Sequence, residues 1–253
     1  MDIVSIIMPL YNGEHFLEKS VFSVLKQTYT AWELWVIEDH SSDHSLALAN
    51  RLAEGDERIH VLQTPKNMGA AGARNLGIRQ ATGRYLAFLD CDDCWYPRKL
   101  ETQIAFMQEH GADFSCTAYR CVSETGEVEK RGMIVPFRRA GYWRCLFYGN
   151  CIGNSTAVYD AHKLGKVESP DIRKRNDFAM WLQLLRRTPY VYGLHECLAD
   201  YCVRQGSLSE KKLNLYRYQW VLYRKIERLP LLTCVAAIVT VTVRKLWQAV
   251  WKR

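Results

Sequence analysis

The chain has 253 residues, 48% hydrophobic and 24% charged, ordinary values for a globular protein and enough for one large α/β domain or a domain with a short appendage. These figures exclude intrinsic disorder, collagen and a coiled coil. The net charge of +7 is uneven: residues 204–253 hold 11 basic and two acidic side chains, a net +9, so residues 1–203 sum to −2. A uniformly basic nucleic-acid module would not divide in this way, whereas a basic tail suits an anionic membrane surface.

In chain order, residues 4–9 read as a buried strand closing at Pro9 and the turn Tyr11-Asn12-Gly13. Phe16, Leu17, Val21, Val24 and Leu25 follow at helical spacing. Residues 32–37 are a second strand closed by Glu38-Asp39, and Ser42 or Asp43 can cap a helix through Leu52. Residues 59–62 are a third strand. The Gly/Ala-rich stretch 67–73 reads as a loop leading into a helix that ends before Gly83, and residues 84–89 form a fourth strand closed by Asp90-Cys91-Asp92-Asp93. Pro97 opens a helix through Glu109, then residues 113–123 and 154–159 read as strands, 177–187 as a helix and 196–203 as a last strand. From Ser209 the pattern is helical, broken at Pro230. This alternation predicts an α/β fold, a mainly parallel doubly wound sheet with a C-terminal helical appendage, and ligands at the carboxyl ends of the strands.

The N-terminus lacks a basic n-region and a long apolar segment, so it does not read as a signal peptide. Nine cysteines at irregular spacing complete no zinc pattern, which suggests free thiols in a reducing cytoplasm. The longest apolar stretch, residues 231–243, includes Thr233, Thr240 and Thr242 and falls short of the about 20 residues of a membrane span.

Three places carry chemistry. Three carboxylates within Asp90–Asp93 at the end of an apolar strand repel one another and call for a cation; oxygen ligands favour Mg²⁺ or Mn²⁺, with a diphosphate completing the shell. A solvated acidic loop is the plainer alternative, and a redox or zinc role for Cys91-x-x-Cys94 is a weaker one. Asp39 either accepts a hydrogen bond from a base or ribose or caps the next helix. The stretch from Asn67 to Arg74 lets backbone approach a ligand, and Arg74 can pair with phosphate.

These motifs in this order resemble family 2 glycosyltransferases, the inverting group with the GT-A, Rossmann-like fold. Ile6 to Asn12 resembles the family's opening strand and turn. Residues 23–28 resemble the end of its first helix. Glu38-Asp39-His40-Ser41-Ser42-Asp43 stands where Asp-Asp-Gly-Ser-Thr-Asp is usual, Phe88 to Asp93 matches the Asp-x-Asp signature, and Arg175-Asn176-Asp177 with Trp181 resembles the late acidic motif, with Asn176 replacing a common Glu. The resemblance implies that Pro9, Tyr11 and Glu14 line a nucleobase pocket, that Asp39 binds the base, and that Asn67 and Arg74 lie near the nucleotide. Asp90, Cys91 and Asp92 would face the nucleotide sugar, with Asp92 and Asp90 holding Mn²⁺ or Mg²⁺. The donor would be a nucleotide-diphosphate sugar, most often UDP-linked. An acceptor hydroxyl attacking the sugar from the far side must lose its proton, and Asp177 is the candidate base; the alternative is a helix cap. Trp181 would stack on an acceptor sugar or pack in the core, and residues 204–209 would close over the diphosphate or simply connect. His195 reads as structural.

The expected organisation is a GT-A domain over residues 1–208, about 1–110 for the nucleotide sugar and 111–208 for the acceptor, with a basic amphipathic tail, 209–253. That tail would place the enzyme peripherally on the inner face of the cell membrane, beside a lipid-linked, polyprenyl-pyrophosphate saccharide acceptor, and it also allows a homodimer. The rivals are a non-catalytic nucleotide-sugar-binding protein and a nucleic-acid module; a dehydrogenase is disfavoured because Tyr11-Asn12-Gly13 replaces the Gly-x-Gly-x-x-Gly turn.

Overall fold

A computed structural model describes residues 1–204 and 212–251. The first part alternates as the periodicity predicts: β1 (Val4–Leu10), α1 (Glu14–Leu25), β2 (Trp32–Glu38), α2 (Ser45–Glu54), β3 (Ile59–Gln63), α3 (Gly69–Gln80) and β4 (Tyr85–Phe88). β1 lies between β2 and β4, with β3 outside β2, and all four are parallel. Helices cover both faces, which is why β1 is apolar almost throughout. Val4, Ile6, Met8 and Leu10 pack with Leu17, Val21 and Val24 of α1, while Ile7 turns to the other face and meets the cluster of Ile78 on α3.

The second part comprises β5 (Cys94–Trp95), α4 (Lys99–Glu109), β6 (Phe114–Ser123), β7 (Val128–Ile134), β8 (Arg139–Ala140), α5 (Tyr142–Tyr148), β9 (Val158–Asp160), α6 (Ala161–Leu164), α7 (Asn176–Leu184) and β10 (Val191–Val203). The ten-stranded sheet runs β3-β2-β1-β4-β9-β6-β10-β5, with β7 on β6 and β8 on β10. It is parallel through β4; β9 is antiparallel to both its neighbours, and β6 and β10 are again parallel. The chain winds outward from β1 to β3 on one side and crosses to β4 on the other. A crevice therefore opens at the carboxyl ends of β1 and β4, where Tyr11 and Asp90 follow.

Several local expectations change. Residues 69–73 are not loop but the first turns of α3, because Ala favours helix and a carboxylate caps the start. Residues 154–156 form a 3₁₀ turn before β9 rather than strand. The short α5, β7 and β8 carry no periodicity long enough to announce them. Trp181 is fully buried, its ring 5.3 Å from Phe88 and 5.5 Å from Phe114, so the core alternative holds and it does not face an acceptor.

After residue 211 come α8 (Lys212–Val221), a π-helical turn (Leu222–Ile226) and, beyond Pro230, α9 (Leu231–Trp251). The segment is fastened to the body. Tyr223 OH donates to Leu146 O at 2.7 Å, and the buried Glu227 carboxylate accepts from Tyr142 OH at 2.6 Å and Arg186 Nη2 at 2.7 Å. Cys234, Ala237 and Val241 form the inward face of α9, while Leu232, Val235, Val239, Val243 and Leu246 are exposed on the outward face. Among the described residues no helix is long and apolar enough to cross a membrane. Of the predicted loop 204–209 only Arg204 is among the described residues; 205–209 lie outside them, as do Lys252 and Arg253.

Candidate active site

The turn after β1 is knitted to the loop after β2. Asn12, at φ 48, donates its backbone N–H to Ser41 Oγ at 3.0 Å and accepts from Ser42 N at 2.8 Å. Gly13 N donates to Ser45 Oγ at 2.9 Å, and Glu14 Oε2 accepts from His44 N at 2.8 Å. Asp43 accepts from both Glu14 N and Ser45 N, so it braces the start of α2 from two residues before the helix. Pro9 is half-buried at the strand end, and Tyr11 stands 51% exposed on the rim. His40 takes the place of a common Gly at φ 57, a conformation that glycine adopts freely; its Nε2 lies 2.6 Å from Thr64 O, which anchors it. Burial works against the charge on Glu38, but bonds from Ser41, Gln63 and His40 outweigh it and hold the carboxyl below its usual range.

Asp39 caps a helix, though not the one that follows it. Its carboxylate accepts from Met68 N at 2.7 Å and Thr64 Oγ1 at 2.8 Å through one oxygen, and from Gly69 N at 2.7 Å through the other. It thus sits on the positive end of α3, while Asn67 Nδ2 donates to its backbone carbonyl at 2.9 Å. A carboxylate offers about four acceptor positions and three are taken, on a side chain that is only 2% exposed. Gly69 is required here: φ is +71 at the point where its N–H turns to Asp39.

Arg74 does not extend into solvent. It is 3% exposed, its Nη1 donates to Asn176 Oδ1 at 2.8 Å, and its Nη2 lies 3.8 Å from Asp90 Oδ1. Asp90 also accepts from Asn154 Nδ2 at 2.7 Å. Burial pushes its carboxyl up to about 6; the charges of Asp92 and Asp177 add to this and Arg74 opposes it. Asp92 is likewise raised by burial, against the pull of Arg204, whose Nε is 2.7 Å from its Oδ2. The Arg204 guanidinium also lies over Phe16, 5.2 Å from the ring centre. Asp93 points away from this pair: it is buried, accepts from Ser155 Oγ at 2.5 Å and from Cys202 N at 2.8 Å, and ties the loop to β10.

Cys91 packs beneath the first turn, and a Cβ on Gly13 would stand 2.9 Å from its sulfur. Burial lifts the Cys91 thiol to about 12 and the Cys94 thiol to about 11, so neither is the thiolate that redox chemistry or zinc requires. Among the described residues no three His, Cys, Asp or Glu side chains come together as a metal cage. Asp90 and Asp92 nevertheless fit a divalent cation shared with a ligand: both are half-buried carboxylates with an open edge, each held near a guanidinium that offsets part of its charge.

Asp177 lies in the first turn of α7, two residues after Arg175, the residue that precedes the helix at φ 69; it is therefore not the cap. Its Oδ2 accepts from Asn150 Nδ2 at 2.8 Å, and its charge is felt by Asp90. The predicted residues thus form two groups. Pro9, Tyr11, Glu14, Asp39 and Asn67 surround the ends of β1 and β2; Arg74, Asp90, Cys91, Asp92 and Asp177 surround the end of β4. Asn150, Asn154 and Ser155 complete the second group without having been expected. The only signal for them is the polar character of residues 150–156 in an otherwise apolar region.

An open α/β sheet with paired carboxylates at its switch point and a third acidic residue delivered from α7 is the arrangement that the resemblance to family 2 glycosyltransferases implies. The chain belongs to glycosyl transferase family 2, whose model matches residues 5–159. It is 38% identical over 232 residues to the putative teichuronic acid biosynthesis glycosyltransferase TuaG of Bacillus subtilis, covering 90% of this chain and 89% of that one. It is 37% identical over 220 residues to the Escherichia coli UDP-Glc:alpha-D-GlcNAc-diphosphoundecaprenol beta-1,3-glucosyltransferase WfgD, covering 86% and 84%. The GT-A fold is shared with Staphylococcus aureus TarS 1–349 in complex with UDP-GlcNAc, at TM-score 0.71 and 21% identity over 88% of this chain and 65% of that one. The mannosyltransferase PcManGT of Pyrobaculum calidifontis, in complex with GDP-Man and Mn²⁺, gives 0.66 at 17% identity, covering 98% and 75%.

Proposed function

We propose that this glycosyltransferase transfers a sugar, with inversion, from a UDP-linked donor to a hydroxyl of a polyprenyl-pyrophosphate saccharide in the synthesis of a bacterial surface polysaccharide. The observation that carries this reading is the bridge made by Arg74, whose Nη1 donates to Asn176, the neighbour of Asp177, at 2.8 Å and whose Nη2 lies 3.8 Å from Asp90, so that the start of α7 with its base candidate and the acidic loop after β4 share one anchor. The E. coli relative, whose name specifies UDP-Glc and a diphosphoundecaprenol-linked GlcNAc, supports the donor and acceptor classes.

In this reading Tyr11, Asp39 and Asn67 hold the nucleoside and Arg204 reaches toward the diphosphate beside Asp92. Asp92 and Asp90 would hold Mn²⁺ or Mg²⁺, and the bound cation would act as a Lewis acid that stabilises the departing diphosphate. Asp177 takes the proton of the attacking hydroxyl on the opposite face of the sugar. Arg74 stays beneath, keeping Asp90 and Asn176 in register. Residues 1–110 serve the nucleotide sugar, 111–208 the acceptor, and 209–253 are a tail whose exposed apolar face on α9, flanked by Lys and Arg, seats the enzyme peripherally on the inner membrane surface.

The test is Asp177→Asn assayed with a panel of UDP- and GDP-sugars and a GlcNAc-diphosphate-lipid acceptor. Mn²⁺-dependent thermal stabilisation by one sugar nucleotide should persist while transfer falls about 10²–10⁴-fold. Unchanged transfer would remove Asp177 from the role of base, and stabilisation by no sugar nucleotide would reject the donor class.

A further inference from the structure

Asn150 has no part in the steps above, yet it makes the one hydrogen bond to the Asp177 side chain given by the described residues. Its Nδ2 donates to Asp177 Oδ2 at 2.8 Å, and its own Oδ1 accepts the Ile152 N–H at 3.3 Å. With the carbonyl end committed to backbone, the amide can offer only its N–H end to the carboxylate.

The peptide carrying Asn150 is fixed from behind. Gly149 N donates to Cys145 O at 2.8 Å and closes α5. Gly149 sits at φ +93, and a Cβ there would lie 3.5 Å from Val241 and 3.9 Å from Arg244 Nη2, both on α9. The Arg244 guanidinium stacks 3.8 Å from the centre of the Tyr148 ring. The end of α5 is thus held between α9 and the start of α7, with Asn150 facing the carboxylate.

A carboxylate base in the first turn of a helix is free to rotate about its terminal bond, and proton transfer demands one oxygen aimed at the hydroxyl. We propose that Asn150 is the positioning residue for Asp177: it holds Oδ2 and leaves Oδ1 turned to the acceptor. The proposal rests on the reading of Asp177 as base. Asn150 touches no reacting atom and acts through Asp177 alone.

The test compares Asn150→Leu, Asp177→Asn and the double variant of the full chain, with the sugar nucleotide selected above and the GlcNAc-diphosphate-lipid acceptor. Asn150→Leu keeps the volume and removes the donor. It should lower kcat ten- to a hundredfold while the donor KM stays within about twofold. In the Asp177→Asn background the same change should alter the residual rate by less than about threefold, because its partner is already gone. Asn150→Ala, which removes the donor without adding a charge, carries the same comparison if the Leu variant does not fold. An unchanged kcat, or an equal loss in both backgrounds, overturns the proposal and leaves Asp177 as base. Wild-type transfer by Asp177→Asn overturns both.

Discussion

Arg74 and Asn176 stand 102 residues apart in the chain and meet at 2.8 Å in the interior. This bond fastens α3, whose start is capped by Asp39, to the start of α7, which carries Asp177. Because residue 176 is a neutral Asn, the Arg74 charge is not cancelled there and remains to face Asp90. Arg74→Met should therefore do two things at once. Losing a hydrogen bond to a charged group costs about 2 kcal/mol, or a fall in Tm of about 4–8 °C for a chain of this size. Transfer should fall further than stability explains, since Asp90 loses its nearest opposing charge. A Tm drop with unchanged kcat would reduce Arg74 to a packing residue.

The acidic loop sets a pH dependence. Burial raises Asp90 to about 6, with Asp92 and Asp93 shifted in the same direction. An unfolded Asp titrates near about 4. Between these values the folded chain binds more protons than the unfolded one, so the metal-free protein should lose stability as pH rises through that window. A divalent cation competes with those protons. Thermal melts should show Mn²⁺ with UDP stabilising weakly at about pH 5 and more strongly by about pH 7.5. A shift independent of pH would separate the cation from these carboxylates.

Much of the fold was legible because β1, β2 and β4 are short apolar runs that end in turn-forming or acidic residues, and that pattern alone predicts a doubly wound sheet. The site was legible where chemistry is concentrated in sequence, as at Asp90–Asp93. It was illegible where a side chain's role depends on a distant partner. Asp39 reads equally as a base contact or a cap until α3 is seen to start above it, and Arg74 reads as a phosphate arm until Asn176 closes over it. Asn150 has only the weak signal of a polar stretch, because the carboxylate it bonds lies 27 residues away on α7.

Trp181 offers a clean discrimination between core and acceptor roles. Its ring is enclosed by Phe88 and Phe114. Trp181→Ala should cost about 3–5 kcal/mol through the cavity it leaves, read as a large fall in Tm or denaturant midpoint. If instead Tm is preserved and the acceptor KM rises, the ring serves acceptor binding and the packing described here is wrong.

The outward face of α9 makes the last prediction. Leu232 is 83% exposed, and Val235, Val239, Val243 and Leu246 continue the stripe at helical spacing, opposite the buried Cys234, Ala237 and Val241. A soluble helix has no reason to line up these residues in water, whereas a membrane interface buries them and draws in neighbouring basic side chains at about 1 kcal/mol each. Val239→Glu with Leu246→Glu should leave folding nearly unchanged, since both side chains lie outside the core. Each substitution removes about 1.5–3 kcal/mol of apolar burial, so partition onto anionic vesicles should fall a hundredfold or more. Activity on a soluble, short-chain acceptor should persist while activity on the vesicle-embedded acceptor drops. Equal activity on both, with unchanged vesicle partition, would mean that this face meets something other than lipid; a concentration-dependent loss of dimer on sedimentation would identify it as the surface between two copies of the chain.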